Sequence, residues 1–279
     1  MPEKRPRLLL PAGSPDCFEA ALSAGADEIY SIGGAQAIAA MALGTESIEP
    51  VQKIVGPGNV FVTSAKMMLR DVVEIDFPAG PSEVGVLADD SANPEYIAVE
   101  LMAQAEHDPS SASILVTDSQ KLADKVNKNI DAMLPKAKRK EIIEAAFQNS
   151  GIVVTDSMDH AVEIINEMAP EHLVIQTADP LDTLGKVRNA GSIFVGQYTP
   201  VAAGDYASGT NHVLPTAGNA KVASGLNVAH FRKTSTVQML TKEGLESIAP
   251  TIKKIAETEG LMEHAHSVKI RLPAEKKKN

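Results

Sequence analysis

Nine short runs rich in Val, Ile, Leu and Phe recur along the chain, at residues 7–10, 28–32, 60–63, 73–77, 83–88, 113–117, 152–155, 173–176 and 192–195. Several are almost continuously apolar. A strand needs that pattern when both of its faces are covered. Amphipathic stretches at 94–106, 119–134, 157–167 and 180–189 lie between them, with apolar positions three and four residues apart. Strands that alternate with helices predict an α/β fold of parallel sheets with flanking helices.

Local signals place the helix boundaries. Asp118 and Asp156 stand where an N-cap carboxylate can accept from free amides. Pro94 and Pro180 suit a first turn, where no amide donor is missed. Gly191 can close the 180–189 helix in a left-handed conformation. The strand pattern fades from about Ala217. Residues 244–262 read as helix, with Ile248, Ile252 and Ile255 on one face and Pro250 at a first-turn or kink position. A C-terminal helical segment therefore follows the α/β body. The domain reading is 1–81, 82–226 and 227–279.

Composition excludes several function classes. The chain has 279 residues, 44% hydrophobic and 22% charged, which is enough to bury a core. Its net charge of −10 argues against a broad nucleic-acid face. The basic clusters at 136–140 and 276–278 are short. No apolar run approaches the ~20 residues of a membrane span, and no signal-peptide core follows Met1. Cys17 is the single cysteine, so no internal disulfide forms and a cytoplasmic, reducing compartment is expected. With no Trp and 4% aromatics, stacking platforms for bases are not expected.

Several polar positions can carry chemistry. Glu100, Gln104 and His107 share one stripe of the 94–106 helix, while Ile97, Leu101 and Ala105 face a core. The Gln104/His107 pair can supply two metal ligands, or it is a solvated helix face. Glu171-His172 opens an apolar strand, and Pro170 is expected to keep Ala169 extended. The two can act as general acid and base, or the imidazole is an exposed strand-edge residue. The loop 204–212 offers Asp205 to a cation and His212 to an anion, or is an ordinary turn. Gly56-Pro57-Gly58-Asn59 and Ala79-Gly80-Pro81-Ser82-Glu83 are tight turns or close-approach surfaces. Gly33-Gly34, ahead of the helical 35–42, can present amides to a phosphate, although no Gly-x-Gly-x-x-Gly fingerprint is present. His264 and Glu259 lie near the C-terminus.

These stretches resemble the histidinol dehydrogenase family from about Gly25 to Leu272. The resemblance rests on Asp27-Glu28-Ile29-Tyr30, Gly33-Gly34-Ala35-Gln36, Val55-Gly56-Pro57-Gly58-Asn59 and Asp76-Phe77-Pro78-Ala79-Gly80-Pro81-Ser82-Glu83. It continues through Gln104-Ala105-Glu106-His107-Asp108, Ala169-Pro170-Glu171-His172-Leu173, Gly204-Asp205-Tyr206, Asn211-His212-Val213-Leu214-Pro215-Thr216, Glu259-Gly260-Leu261 and His264-Ala265. It implies an enzyme that uses Zn2+ and NAD to oxidise L-histidinol to L-histidine through the aldehyde. Gln104, His107, Asp205 and His264 match the zinc ligands. Glu171 and His172 match the acid/base pair. Ser82, His212 and Glu259 match substrate contacts, alongside Gln104, His107, His172, Asp205 and His264. Gln36 and Asn59 match cofactor contacts. A homodimer is implied, with the C-terminal segment of one copy reaching the site of the other.

The family carries a long portion ahead of the Asp27-Glu28-Ile29-Tyr30 stretch, and here only a short segment precedes it. Leu8-Leu9-Leu10-Pro11-Ala12-Gly13-Ser14 is instead similar to the opening of collagenase-like peptidases. The resemblance thus implies a shortened form, natural or engineered, with a Rossmann-like fold incomplete relative to the family. A non-catalytic zinc- and ligand-binding scaffold is the competing reading. A second alternative keeps the chemistry and takes a sulfonated or other small alcohol.

Overall fold

The computed structural model describes residues 7–77 and 80–272. The basic stretch 276–278 and the Pro78-Ala79 step lie outside the described residues. The chain divides into a unit ending at Phe231 and a unit beginning at Arg232.

A five-stranded parallel sheet organises the first unit. Its strands are β5 (Glu83–Ala88), β6 (Ala112–Thr117), β7 (Gly151–Val154), β8 (His172–Gln176) and β9 (Ser192–Val195), in the order β7-β6-β5-β8-β9. Five helices connect or follow these strands: α4 (Pro94–Ala105), α5 (Gln120–Met133), α6 (Lys140–Ala146), α7 (Met158–Met168) and α8 (Pro180–Lys186). Alternation along β5 shows why the sheet is apolar on both sides. Val84, Val86 and Ala88 pack with Ile97, Ala98 and Leu101 of α4 and with Leu122 and Val126 of α5. On the other face Leu87 packs with Val116, Leu173 and Ile175 and with Ala161, Val162 and Ile165 of α7. Fully burying such aliphatic side chains is worth about 1.5–3 kcal/mol each. The two covered faces therefore hold the sheet as a rigid platform.

Ahead of this sheet come β1 (Leu9–Pro11), α1 (Pro15–Ser23), β2 (Glu28–Tyr30), α2 (Gly34–Leu43), β3 (Lys53–Ile54), α3 (Val60–Leu69) and β4 (Glu74–Ile75). They form two parallel two-stranded sheets, β1-β2 and β3-β4. Ala37, Ile38 and Met41 pack with Ile54 and Val73 in a core of their own.

Several sequence readings are corrected here. Residues 60–63 are the first turn of α3, not a strand. Asn59 caps that helix, its Oδ1 accepting from the amides of Phe61 and Val62 at 3.1 Å each. The caps of α5 and α7 are Ser119 and Ser157, one residue beyond Asp118 and Asp156. Gly191 does not close a helix, because α8 already ends at Lys186. Ala169 is left-handed (φ 50°, ψ 60°) rather than extended, and it terminates α7. Pro94 and Pro180 do occupy first turns.

The first unit also holds α9 (Val201–Tyr206). The second contains α10 (Lys242–Thr258) and α11 (Met262–Lys269), which pack together and bury Ala249, Ala256, Ala265 and Val268. Pro250 lies inside α10, beyond its first turn. No helix among the described residues is long and apolar enough to cross a membrane.

Candidate active site at the amino end of the sheet

Ligands in open parallel sheets usually sit beyond the carboxyl ends of the strands. Here the matching residues gather at the opposite end. Ser82 and Glu83 open β5, and Glu171 and His172 open β8, its parallel neighbour. Gln104 and His107 stand at the carboxyl end of α4, the helix that returns from β5 to the start of β6. Two backbone features seat the β8 entrance. Ala169 turns the chain out of α7 in a conformation that costs a non-glycine residue of order 1–3 kcal/mol. Gly191 then lets β9 start against β8. Its amide donates to the Pro170 carbonyl at 2.9 Å, and a Cβ there would come within 2.6 Å of the Glu171 carbonyl oxygen.

Glu171 is buried and anchored. Its Oε2 accepts from Ser82 Oγ at 2.6 Å and from the Glu83 amide at 2.9 Å. Burial pushes its carboxyl above the usual carboxylate range, against the opposing pull of His172, Ser82 and Glu83. His172 is also buried, and its Nδ1 lies 3.3 Å from the Glu83 carbonyl. A carbonyl only accepts, so this contact puts the proton on Nδ1 and leaves Nε2 as the free nitrogen. That Nε2 has no hydrogen-bond partner among the described residues, and Asp205 Oδ1 stands 3.5 Å away. Burial disfavours the imidazolium, but Asp205, Glu171 and the Glu83 carbonyl together outweigh it and raise the imidazole above its usual value. Asp205 is correspondingly held below the normal range by His172 first, with His107 and His212 contributing.

The Phe194 ring packs 5.9 Å from the His172 ring, centroid to centroid. Gly204 of α9 rests on the same phenyl ring, so close that a Cβ would meet Phe194 Cε1 at 2.6 Å. Asp205, the next residue, is thereby held at the imidazole. Ser82, Glu171, His172 and Asp205 thus form one contact network, with His107 and His212 in electrostatic reach. Gln36 lies on α2 and Asn59 at the α3 cap, both exposed. Glu259 and His264 belong to the second unit, at the end of α10 and in α11. Spacing did not single out the backbone of Glu83 or the ring of Phe194. Both act through the fold, and neither carries a local signal.

A profile of the family described as histidinol dehydrogenase matches residues 10–272. The chain belongs to the histidinol dehydrogenase family. It is 52% identical over 257 residues to the histidinol dehydrogenase of Methanosarcina mazei, covering 92% of this chain and 59% of that protein. Identity to the Methanothermobacter thermautotrophicus enzyme is 57% over 254 residues, 91% of this chain and 60% of the relative. The crystal structure of histidinol dehydrogenase from Elizabethkingia anophelis superposes with a TM-score of 0.90 at 42% identity, over 95% of this chain and 63% of that one. The chain therefore spans about 60% of the length of these histidinol dehydrogenases.

Among the described residues, no group of three or more His, Cys, Asp or Glu side chains is placed to hold a metal ion. Gln104 adds a different kind of donor. It is buried, and its Nε2 has no hydrogen-bond partner among the described residues. Rotation about its last torsion exchanges the amide nitrogen and oxygen. By donor type alone, the amide oxygen of Gln104, the imidazole of His107 and the carboxylate of Asp205 are compatible with Zn2+.

Proposed function

We propose that this chain catalyses the NAD-dependent oxidation of L-histidinol to L-histidine through the aldehyde. The observation that carries this reading is the buried Glu171–His172 pair, anchored by Ser82 and Glu83 and facing Asp205. Gln104, His107, Asp205 and His264 would hold Zn2+. When bound, the ion would supply Lewis-acid orientation of the substrate's nitrogen groups, and NAD would supply the hydride acceptor.

The chain's own residues then divide the proton work. His172 Nε2, free of any protein hydrogen bond, takes the hydroxyl proton as the first hydride leaves. The nearby carboxylates stabilise the imidazolium that results. Glu171, its carboxyl raised above the usual carboxylate range by burial, removes a proton from the water that adds to the aldehyde, and the hydrate loses a second hydride. Ser82 keeps the Glu171 carboxyl aimed. His212 and Glu259 would contact the carboxylate-forming and imidazole ends of the substrate, and Gln36 and Asn59 the cofactor. The family resemblance supports a homodimer in which Glu259 and His264 of one copy complete the site of the other.

The test is NADH formation, followed by absorbance, from L-histidinol and NAD+ with zinc-loaded protein. Steady NADH production is expected. Folded, zinc-loaded protein that produces none overturns the reading. Production that is faster with a sulfonated diol than with histidinol overturns the substrate.

A further inference from the structure

Glu100 lies on the same face of α4 as Gln104, one turn earlier, and the proposed chemistry does not use it. It is partly buried, which pushes its carboxyl above the usual range despite a backbone donor. That donor is the amide of Val201, 3.2 Å from Glu100 Oε2. Val201 is the first residue of α9. The preceding Pro200 caps the helix with no side-chain hydrogen bond. The free amide of this six-residue helix is therefore satisfied by a carboxylate from a different helix, 101 residues earlier in the chain.

The spacing on the two helices makes this bond consequential. Gln104 follows Glu100 by four residues, and Asp205 follows Val201 by four. Each proposed ligand thus stands just over one turn, about 6 Å of rise, beyond one end of the Glu100–Val201 bond. The Asp205 carboxylate and the His172 imidazole are both in electrostatic reach of Glu100. Apolar contacts also seat α9: the buried Val201 side chain belongs to the core cluster of Ile97, Ala98 and Leu101 of α4, and Gly204 rests on the Phe194 ring. Apolar packing is non-directional, whereas the Glu100–Val201 hydrogen bond joins one named atom of α4 to one of α9.

We propose that Glu100 is a positioning residue: its bond to the Val201 amide fixes the first turn of α9 on α4 and so sets where Asp205 stands relative to His172, Gln104 and His107. The consequence for metal binding rests on the ligand assignment above, while the placement of α9 does not.

The experiment compares Glu100→Ala, which deletes the acceptor, with Glu100→Gln, which removes the charge and keeps an oxygen. Val201→Pro deletes the donor instead, at a first-turn position where proline is tolerated, and also replaces a side chain buried against α4, so it is read only through its coupling to Glu100→Ala. Pro200 already has the extended conformation that a following proline requires (φ −72°, ψ 154°). Two readouts are taken: amide hydrogen exchange of metal-free protein, and zinc affinity by competition with a chromogenic chelator. In Glu100→Ala, amides of residues 201–206 should lose protection while those of β5, β6 and β8 keep theirs. Zinc affinity should fall about tenfold or more, as when a partner that orients a metal ligand is lost. Glu100→Gln should restore both. Glu100→Ala and Val201→Pro should be non-additive in combination, because both cut the same bond.

Wild-type zinc affinity and exchange in Glu100→Ala would overturn the proposal. So would equal losses in Glu100→Gln and Glu100→Ala, which would assign the effect to charge. If the wild-type protein takes up no zinc, the ligand assignment fails and exchange alone decides. Selective loss at 201–206 then supports the proposal, and unchanged exchange overturns it.

Discussion

Ser82 Oγ donates to Glu171 Oε2 at 2.6 Å across the junction of β5 and β8, two segments 89 residues apart. Together with the Glu83 amide on the same oxygen, it favours the ionised carboxylate at a buried position. Ser82→Ala removes one of the two donors. The Glu171 carboxyl should then rise further, and the acid limb of the rate profile should move to higher pH. The measurement is a pH–rate profile of kcat for wild type and Ser82→Ala. An unmoved acid limb would mean that this limb does not report Glu171.

Gly204 and Phe194 should form the least forgiving contact near the site. A methyl group at 204 would enter the phenyl ring that supports His172. Gly204→Ala should lower stability by about 1–3 kcal/mol, the range for overpacking a filled site. It should also weaken zinc binding, because Asp205 is the next residue. Urea unfolding and chelator competition check the two effects separately.

How legible the chain was depended on the distance between the groups that decide each feature. The bounds of β5 are legible because a strand covered on both faces writes its burial into consecutive residues; those of the edge strand β9, where only Phe194 is buried, are legible from its β-branched and aromatic run alone. Residues 60–63 were read as a strand from their β-branched composition. Asn59 overrides that propensity by bonding two amides, and the helix then runs on to Leu69. The left-handed Ala169 defeated the rule for residues before proline, because it must both end α7 and start β8. At the site, Glu171, His172, Ser82 and Asp205 were visible as residues. Their mutual bonds were not, since each joins segments that only the sheet brings together. Glu100 was visible as part of a polar stripe, but its partner amide lies on another helix.

A buried ion pair holds the Gly56–Asn59 turn. Lys66 Nζ bonds Asp76 and donates to the Gly56 carbonyl at 3.0 Å, while Asp76 Oδ2 accepts from the Gly56 amide at 2.7 Å. Both side chains are almost inaccessible to solvent. Lys66→Met leaves the Asp76 charge buried without its cation, which typically costs about 3–5 kcal/mol. Urea unfolding should register a loss of that size. Lys66→Met/Asp76→Leu should recover much of it, because an apolar pair leaves no charge unpaired.

Glu83 links pH to stability. Burial raises its carboxyl above the usual value even though the Ala217 amide donates to Oε1 at 3.0 Å. A carboxyl raised in the folded state binds its proton more tightly there than in the unfolded chain. Its penalty is therefore full above the raised value and vanishes as pH falls toward the ordinary 4.5. Glu83→Gln keeps an oxygen for the Ala217 amide and removes the charge. It should be more stable than wild type at neutral pH, with the difference shrinking on acidification. Parallel urea titrations across that window check the sign, and a gain that grows toward low pH would contradict it.

A site shared between copies of the chain has a signature that a self-contained site lacks. Glu171→Gln should abolish turnover by removing the proposed base, and His264→Ala by removing a ligand from the C-terminal segment. Under the shared arrangement, half of the dimers formed by random mixing of the two variants are heterodimers. In each, one site has an intact Glu171 from one copy and an intact His264 from the other. The mixture should then recover about a quarter of wild-type activity after subunit exchange, although neither variant is active alone. If each copy supplied its own His264, every site would still carry one lesion and mixing would recover nothing. NADH production by the mixture, measured after dissociation and reassembly, separates the two arrangements directly.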